Sequence, residues 1–207
     1  MHGMDRRPLR TRSARWAALV AAWIAKRGIT PNTISMVGVG FAGGAAALLL
    51  WQPTAWGLLA AACCVQLRLL CNMLDGMVAI EGGLKSASGD LFNEFPDRVE
   101  DSLILVAAGY AVGLEWLGWA CALLAAITAH ARAYGGALGQ AQDFRGPMAK
   151  PHRMFAVTVG CLAAIVELHW HGTILSLEIA LWLVCVGAAI TWIRRLQAMA
   201  ARLKQEN

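Results

Sequence analysis

Apolar and polar positions fall into long blocks along this chain. Six apolar stretches stand out, at 32–51, 55–74, 94–113, 115–134, 153–170 and 173–193. Most come near the roughly 20 residues that a helix needs to cross a bilayer. The second, third and fourth carry charges or Asn at one end, so their limits are soft. Ahead of them, residues 11–27 (TRSARWAALVAAWIAKR) are apolar at Trp16, Leu19, Val20, Trp23 and Ile24, with basic residues at both ends. That helical spacing predicts an amphipathic helix lying on a membrane surface. ITPNTIS at 29–35 breaks and restarts the chain; Pro31 suits a helix start, with Asn32 or Thr33 as the cap. Gly40-x3-Gly44 in the first block predicts close helix packing. The pattern therefore predicts an all-α integral membrane protein of six transmembrane helices with an N-terminal interfacial helix. Residues 1–30 form a basic segment and juxtamembrane helix, and 31–207 a single membrane domain.

Composition agrees. Of 207 residues, 58% are hydrophobic and only 15% charged, where soluble domains are about a quarter charged. Residues 1–10 run into no immediate apolar core with a small-residue cleavage site, so no cleavable leader is expected. Cys63, Cys64, Cys71, Cys121, Cys161 and Cys185 all lie in apolar blocks without CxxC spacing. They read as small hydrophobes, not as disulfides or metal ligands.

The net charge of +5 matters less than its placement. Arg6, Arg7, Arg10, Arg12, Arg15, Lys26 and Arg27 precede the first block, and Lys85 separates the second from the third. Arg145 and Lys150, flanked by Arg132 and Arg153, separate the fourth from the fifth; Arg194, Arg195, Arg202 and Lys204 follow the sixth. The connections near 52–54, 114 and 171–172 hold no Lys or Arg. The positive-inside rule then puts both termini in the cytoplasm, in a membrane of bacterial inner-membrane type. Trp51, Trp56, Trp116, Trp119 and Trp170 fall at the opposite interface as an aromatic belt. Beside membrane spans, basic residues predict anionic lipid as partner and no nucleic acid. The polar stretch 135–152 holds Arg145, Lys150 and His152. It reads either as a solvated positive-inside loop or, with Arg132 and Arg153, as an anion pocket facing the membrane.

Chemistry concentrates in NMLDGMVAI (72–80) and GDLFNEFPDR (89–98). Asn72 and Asp75 are three apart and Asn93 and Asp97 four apart, so each pair shares a helix face. Asp90 and Asp101 extend the second stripe. Two helix ends joined by a glycine-containing loop can aim four oxygen-bearing side chains at one point, and such oxygens suit hard cations such as Mg²⁺. A polar loop with helix caps explains Asp90; it explains Asp97 less well, because Asp97 follows Pro96 inside the helical pattern. Ionisable groups at membrane depth are functional suspects.

The stretch resembles the signature of the CDP-alcohol phosphotransferase family, D-x2-D-G-x2-A-R-x8-G-x3-D-x3-D. Asp75-Gly76-x2-Ala79 matches, residues 81–88 supply the spacer, and Gly89, Asn93 and Asp97 follow on the family spacing. A register ending on Asp97 and Asp101 would break that spacer. The six-block plan, the surface helix and the PNTIS entry are also similar, so the resemblance covers most of the chain. Asn72 and Asn93 stand where the family has Asp, and Ile80 where it has Arg.

The resemblance implies a membrane enzyme of phospholipid synthesis. Asn72, Asp75, Asn93 and Asp97 would hold one or two Mg²⁺ or Mn²⁺ ions, with Asp97 also the catalytic base. Gly76, Ala79 and Gly89 would let the nucleotide approach. A phosphatidyl group would pass from a CDP-activated lipid, CDP-diacylglycerol foremost, to a small polar alcohol, releasing CMP. CDP-alcohol with diacylglycerol is the reverse arrangement, and a homodimer is the family's expectation. The two Asn weaken metal binding and favour one ion, or a pair held mainly by substrate phosphates. Arg68, on the face of Asn72 and Asp75, either replaces the absent signature Arg at the phosphates or forms a structural pair with Asp75. Arg132, Arg145, Lys150 and Arg153 would suit an acceptor bearing phosphate or carboxylate. A non-catalytic CDP-lipid or nucleotide-binding membrane protein is the alternative, resting on the missing acids. A small transporter fits less well, since its site belongs near the midplane.

Overall fold

The computed structural model describes residues 15–51, 53–81, 89–141 and 143–205; the side chains of 81 and 89–93 lie outside that description. Seven helices follow in order: α1 (Arg15–Lys26), α2 (Pro31–Leu50), α3 (Ala55–Glu81), α4 (Gly89–Ala111), α5 (Glu115–Ala137), α6 (Lys150–His171) and α7 (Leu175–Gln205). Each apolar block became one helix. The polar ends extend them: α3 continues through Asp75 to Glu81, and α7 runs well past its apolar block. Four helices, α2, α3, α6 and α7, are long and apolar enough to cross a membrane. The chain is thus an all-helical integral membrane protein. α4 misses that standard because its first half carries Glu94, Asp97, Arg98, Glu100 and Asp101.

The helices close a ring. α2 packs on α3 and α4, α4 on α5, α5 on α7, α7 on α6, and α6 back on α3. Small residues let the ring tighten. A Cβ on Gly109 of α4 would lie 2.6 Å from the Gly118 Cα of α5, and one on Gly160 of α6 would lie 2.7 Å from the Ala180 Cβ of α7. Ala42, Ala45, Leu49, Leu58, Val65, Leu105, Leu117 and Leu181 form the dry core between the helices.

Local signals set the helix ends. Thr30, not Asn32 or Thr33, caps α2: its Oγ1 accepts from the Thr33 N–H at 3.2 Å, and Pro31 takes the first helical position. Glu167 of α6 accepts from the Leu175 and Ser176 N–H groups at the start of α7. Gly40 does not make the expected close approach. Open space lies beside it, and on α2 it is Gly38 that a neighbour crowds, with Glu100 Oε1 2.8 Å from where a Cβ would stand.

α1 covers α3 through Ala17 and Ala21, while Trp16, Leu19, Val20 and Trp23 face outward. Ile24, the fifth member of the predicted apolar row, packs inward against the same cluster as Ala17 and Ala21. Trp51, Trp56, Trp116, Trp119 and Trp170 are also exposed, at the helix ends away from α1. All six cysteines are free.

Candidate active site

Three helices meet inside the ring, at the end where α3 finishes and α4 and α6 begin. α3 brings Arg68, Asn72 and Asp75; α4 brings Asp97, Glu100 and Asp101; α6 brings Lys150 and Arg153. Helical periodicity aligns each set along one face.

Arg68 is fully buried. Its Nε donates to Glu100, and its Nη2 donates to Asp101 Oδ1 at 2.7 Å and to the Asp97 carbonyl at 3.2 Å. The expected Arg68–Asp75 pair does not form. Asp75 turns to α2 instead, accepting the Ser35 hydroxyl at 2.8 Å and the Gly76 N–H at 2.5 Å. Nor does Arg68 lie open to a nucleotide: its side chain has no exposed surface, and α4 holds its charge. Two carboxylates against one guanidinium make a stronger claim than a single Asp one turn along its own helix.

Arg153 donates to Asp101 Oδ2 at 2.6 Å, so Asp101 bridges two arginines from opposite walls. Lys150, the first residue of α6, forms an ion pair with Asp97. Asn72 gives its amide N–H to Glu100 at 3.0 Å, which leaves its carbonyl oxygen as the remaining donor atom.

The other expected residues are more scattered. Gly76 and Ala79 continue α3, and Gly89 opens α4. The side chain of Asn93 lies outside the described residues. Arg132 pairs with Glu94, which also binds Arg98 at 2.7 Å. Arg145 is exposed in the α5–α6 connection and forks onto Asp143 through Nε and Nη2 at 2.9–3.1 Å. Arg145 thus stands apart from Lys150 and Arg153, each of the three serving a different acid.

Sequence reasoning missed three residues. Glu100 anchors both Arg68 and Asn72. Ser35 holds Asp75. Arg195 of α7, buried, donates to the carbonyls of Thr128 and Arg145 and ties the basic loop to two helices. Glu100 had a visible signal: an acid running into the apolar VEDSLILV needs a cationic partner, and Arg68 is the cation inside the facing block.

The donor chemistry fits a hard divalent cation. Asp75 and Asp97 supply carboxylates and Asn72 an amide oxygen, with Asp97 Oδ1 the oxygen that faces Lys150. Among the described residues no three His, Cys, Asp or Glu side chains form a metal cage. Substrate phosphates would have to complete the coordination.

No model of a known protein family matches the chain. Solved structures share its fold. Mycobacterium tuberculosis phosphatidylinositol phosphate synthase with CDP-DAG bound superposes with a TM-score of 0.74 at 24% identity, over 90% of this chain and 94% of that one. The same enzyme in complex with manganese and citrate gives 0.72 at 23%, over 88% of each. Fold and site thus define an all-helical membrane protein with facing acid-bearing helices. Sequence relatives are phosphatidylinositol phosphate synthases: one from Streptomyces avermitilis, 27% identical over 84% of this chain and 74% of that protein, and one from Mycobacterium tuberculosis, 26% identical over 95% and 92%. These relatives agree with the resemblance that the motif carries to CDP-alcohol phosphotransferases.

Proposed function

We propose that the protein transfers a phosphatidyl group from CDP-diacylglycerol to a small polar alcohol and releases CMP. One observation supports the reading: Asp75 and Asp97, on the family spacing, stand on α3 and α4 where Arg68 and Asn72 tie the two helices together. The acceptor hydroxyl oxygen attacks the phosphorus that bears the diacylglycerol. A new P–O bond forms there, the P–O bond to CMP breaks, and the hydroxyl proton passes to Asp97. Asp75, Asp97, Asn72 and Asn93 would hold Mg²⁺ or Mn²⁺, which when bound would supply charge neutralisation at the diphosphate. Gly76, Ala79 and Gly89 leave room for the nucleotide.

The relatives' name points to a phosphorylated polyol as acceptor. Basic residues around the start of α6 suit such a group: Lys150 and Arg153 stand in the acid cluster, Arg132 pairs with Glu94, and Arg145 lies further out in the connection. All six helices α2–α7 cross the membrane in this reading. α1 lies along the cytoplasmic interface, both termini are cytoplasmic, and the exposed tryptophans mark the far side.

The test is CMP release from CDP-diacylglycerol by the purified protein in lipid, with Mn²⁺ and a panel of alcohols that includes inositol phosphate. Metal-dependent release that needs one alcohol and vanishes in Asp97→Asn is the expected result. CDP-lipid binding without release under any alcohol would replace the transferase with a binding protein.

A further inference from the structure

We propose that Lys150 acts as a fixed counter-cation of Asp97, filling the place of a second metal ion, so that the site takes up one divalent cation. The inference rests on the transferase reading of this site. Its evidence is the ion pair between the Lys150 ammonium and Asp97, the acid on which metal binding is expected to depend.

The lysine is held in place from several directions. Lys150 and Arg153 are three apart on α6, and Asp97 and Asp101 are four apart on α4, so the two faces engage as a ladder. The Arg153–Asp101 rung, at 2.6 Å, lies inside the ring with both side chains nearly sealed. Just ahead of α6, the Met148 N–H donates to Thr191 Oγ1 of α7 at 3.0 Å, and Arg153 Nη1 donates to the Met148 carbonyl at 3.3 Å. The start of α6 is thereby pinned to α4 and α7, and Lys150 is delivered to Asp97 by a rigid helix end rather than by a loose loop.

The charge count points the same way. Arg68, Lys150 and Arg153 contribute three positive charges; Asp75, Asp97, Glu100 and Asp101 contribute four negative charges, a balance of −1. Asn72 and Asn93, where the family signature has Asp, add nothing. One divalent ion takes the balance to +1, and a second would take it to +3 in a largely buried site. With Asp in place of both Asn the same cluster would stand at −3, which two divalent ions would bring to +1. The two amides thus lower the site's demand for cations by one divalent ion, and Lys150 supplies a fixed positive charge at Asp97.

The test is Mn²⁺ binding to the full-length protein in lipid nanodiscs, read by loss of the free-Mn²⁺ electron paramagnetic resonance signal, with and without CDP. The wild type is expected to saturate at one equivalent per chain. Lys150→Met is expected to take up a second equivalent, or to bind the first at least about tenfold more tightly, because the competing charge is gone. Lys150→Arg should keep the wild-type isotherm, and thermal melts of all three proteins check that they are folded. Two equivalents in the wild type would overturn the inference. So would a Lys150→Met isotherm identical to wild type, or a variant that changes only the KM for the acceptor, which would make Lys150 an acceptor-binding residue. CMP release by the wild type is measured in parallel. Metal-dependent release with an unchanged Lys150→Met isotherm sinks the lysine's role alone; no Mn²⁺ uptake and no release sinks the transferase reading as well.

Discussion

Arg68 of α3 and Asp101 of α4 meet at 2.7 Å in the sealed interior, and Asp101 turns its other oxygen to Arg153 of α6. One carboxylate thus joins three helices that the chain order separates. Removing one partner from a buried cluster strands the others' charge, which costs about 3–5 kcal/mol. Arg68→Gln is therefore expected to lower the thermal midpoint sharply in detergent or nanodiscs. Pairing it with Glu100→Gln should recover part of the loss, since one stranded carboxylate disappears. An unchanged midpoint in the single variant would refute the structural role of Arg68 and return it to the nucleotide site.

The catalytic prediction separates chemistry from folding. Asp97 pairs with a lysine at the edge of the cluster and remains about a quarter exposed, unlike the sealed Glu100. Asp97→Asn is expected to cut CMP release by about 10²–10⁴-fold, the usual worth of a positioned base, while the melting curve moves little. Chelation with EDTA should abolish release in the wild type and added Mn²⁺ should restore it. Full release by Asp97→Asn would rule out Asp97 as the proton acceptor.

The helix blocks, the restart at Pro31 and the placement of Asp75 on α3 and Asp97 on α4 were all legible in the sequence, because periodicity and spacing are local properties. Partners across the ring were not. Nothing in the chain order places Asp101, 52 residues away, opposite Arg153. Asp75 looked like a partner for Arg68 because both share a face of α3, yet the facing helix offered two acids. Gly40-x3-Gly44 misled for a related reason. A small-residue spacing shows that close approach is feasible but not which face of α2 meets a neighbour, and that face belongs to Gly38.

Helix packing gives a contrast within one residue type. Gly109 lies so close to Gly118 that a Cβ would overlap backbone, which cannot move without opening the α4–α5 hairpin. Gly109→Ala should cost about 1–3 kcal/mol, the range for overpacking a filled site. Gly40 has open space around its Cα, so Gly40→Ala should leave the melting temperature of the monomer unchanged or slightly raised. Equal effects at the two positions would contradict the packing described for α4 and α5.

The α5–α6 connection carries a pH prediction. Asp143 accepts the Arg145 N–H at 2.9 Å and its guanidinium, and Arg202 of α7 stands 3.6 Å away. Partial burial pushes the Asp143 carboxyl up, but the hydrogen bonds and charge of Arg145 outweigh it, with Arg202 adding to them, and hold it below the usual carboxylate range. A depressed folded pKa stabilises the folded form above the unfolded value, about 3.9, and that stabilisation is lost as pH falls through the folded value. Asp143→Asn should therefore loosen the connection and the end of α7 at neutral pH, by less than about 1 kcal/mol given the exposure of Arg145. Hydrogen exchange across 143–149 and 196–205 should differ between variant and wild type at pH 6 and converge as the pH drops below about 4. A difference that persisted or grew in acid would mean that Asp143 acts through its shape and hydrogen bonds alone, and not through its charge.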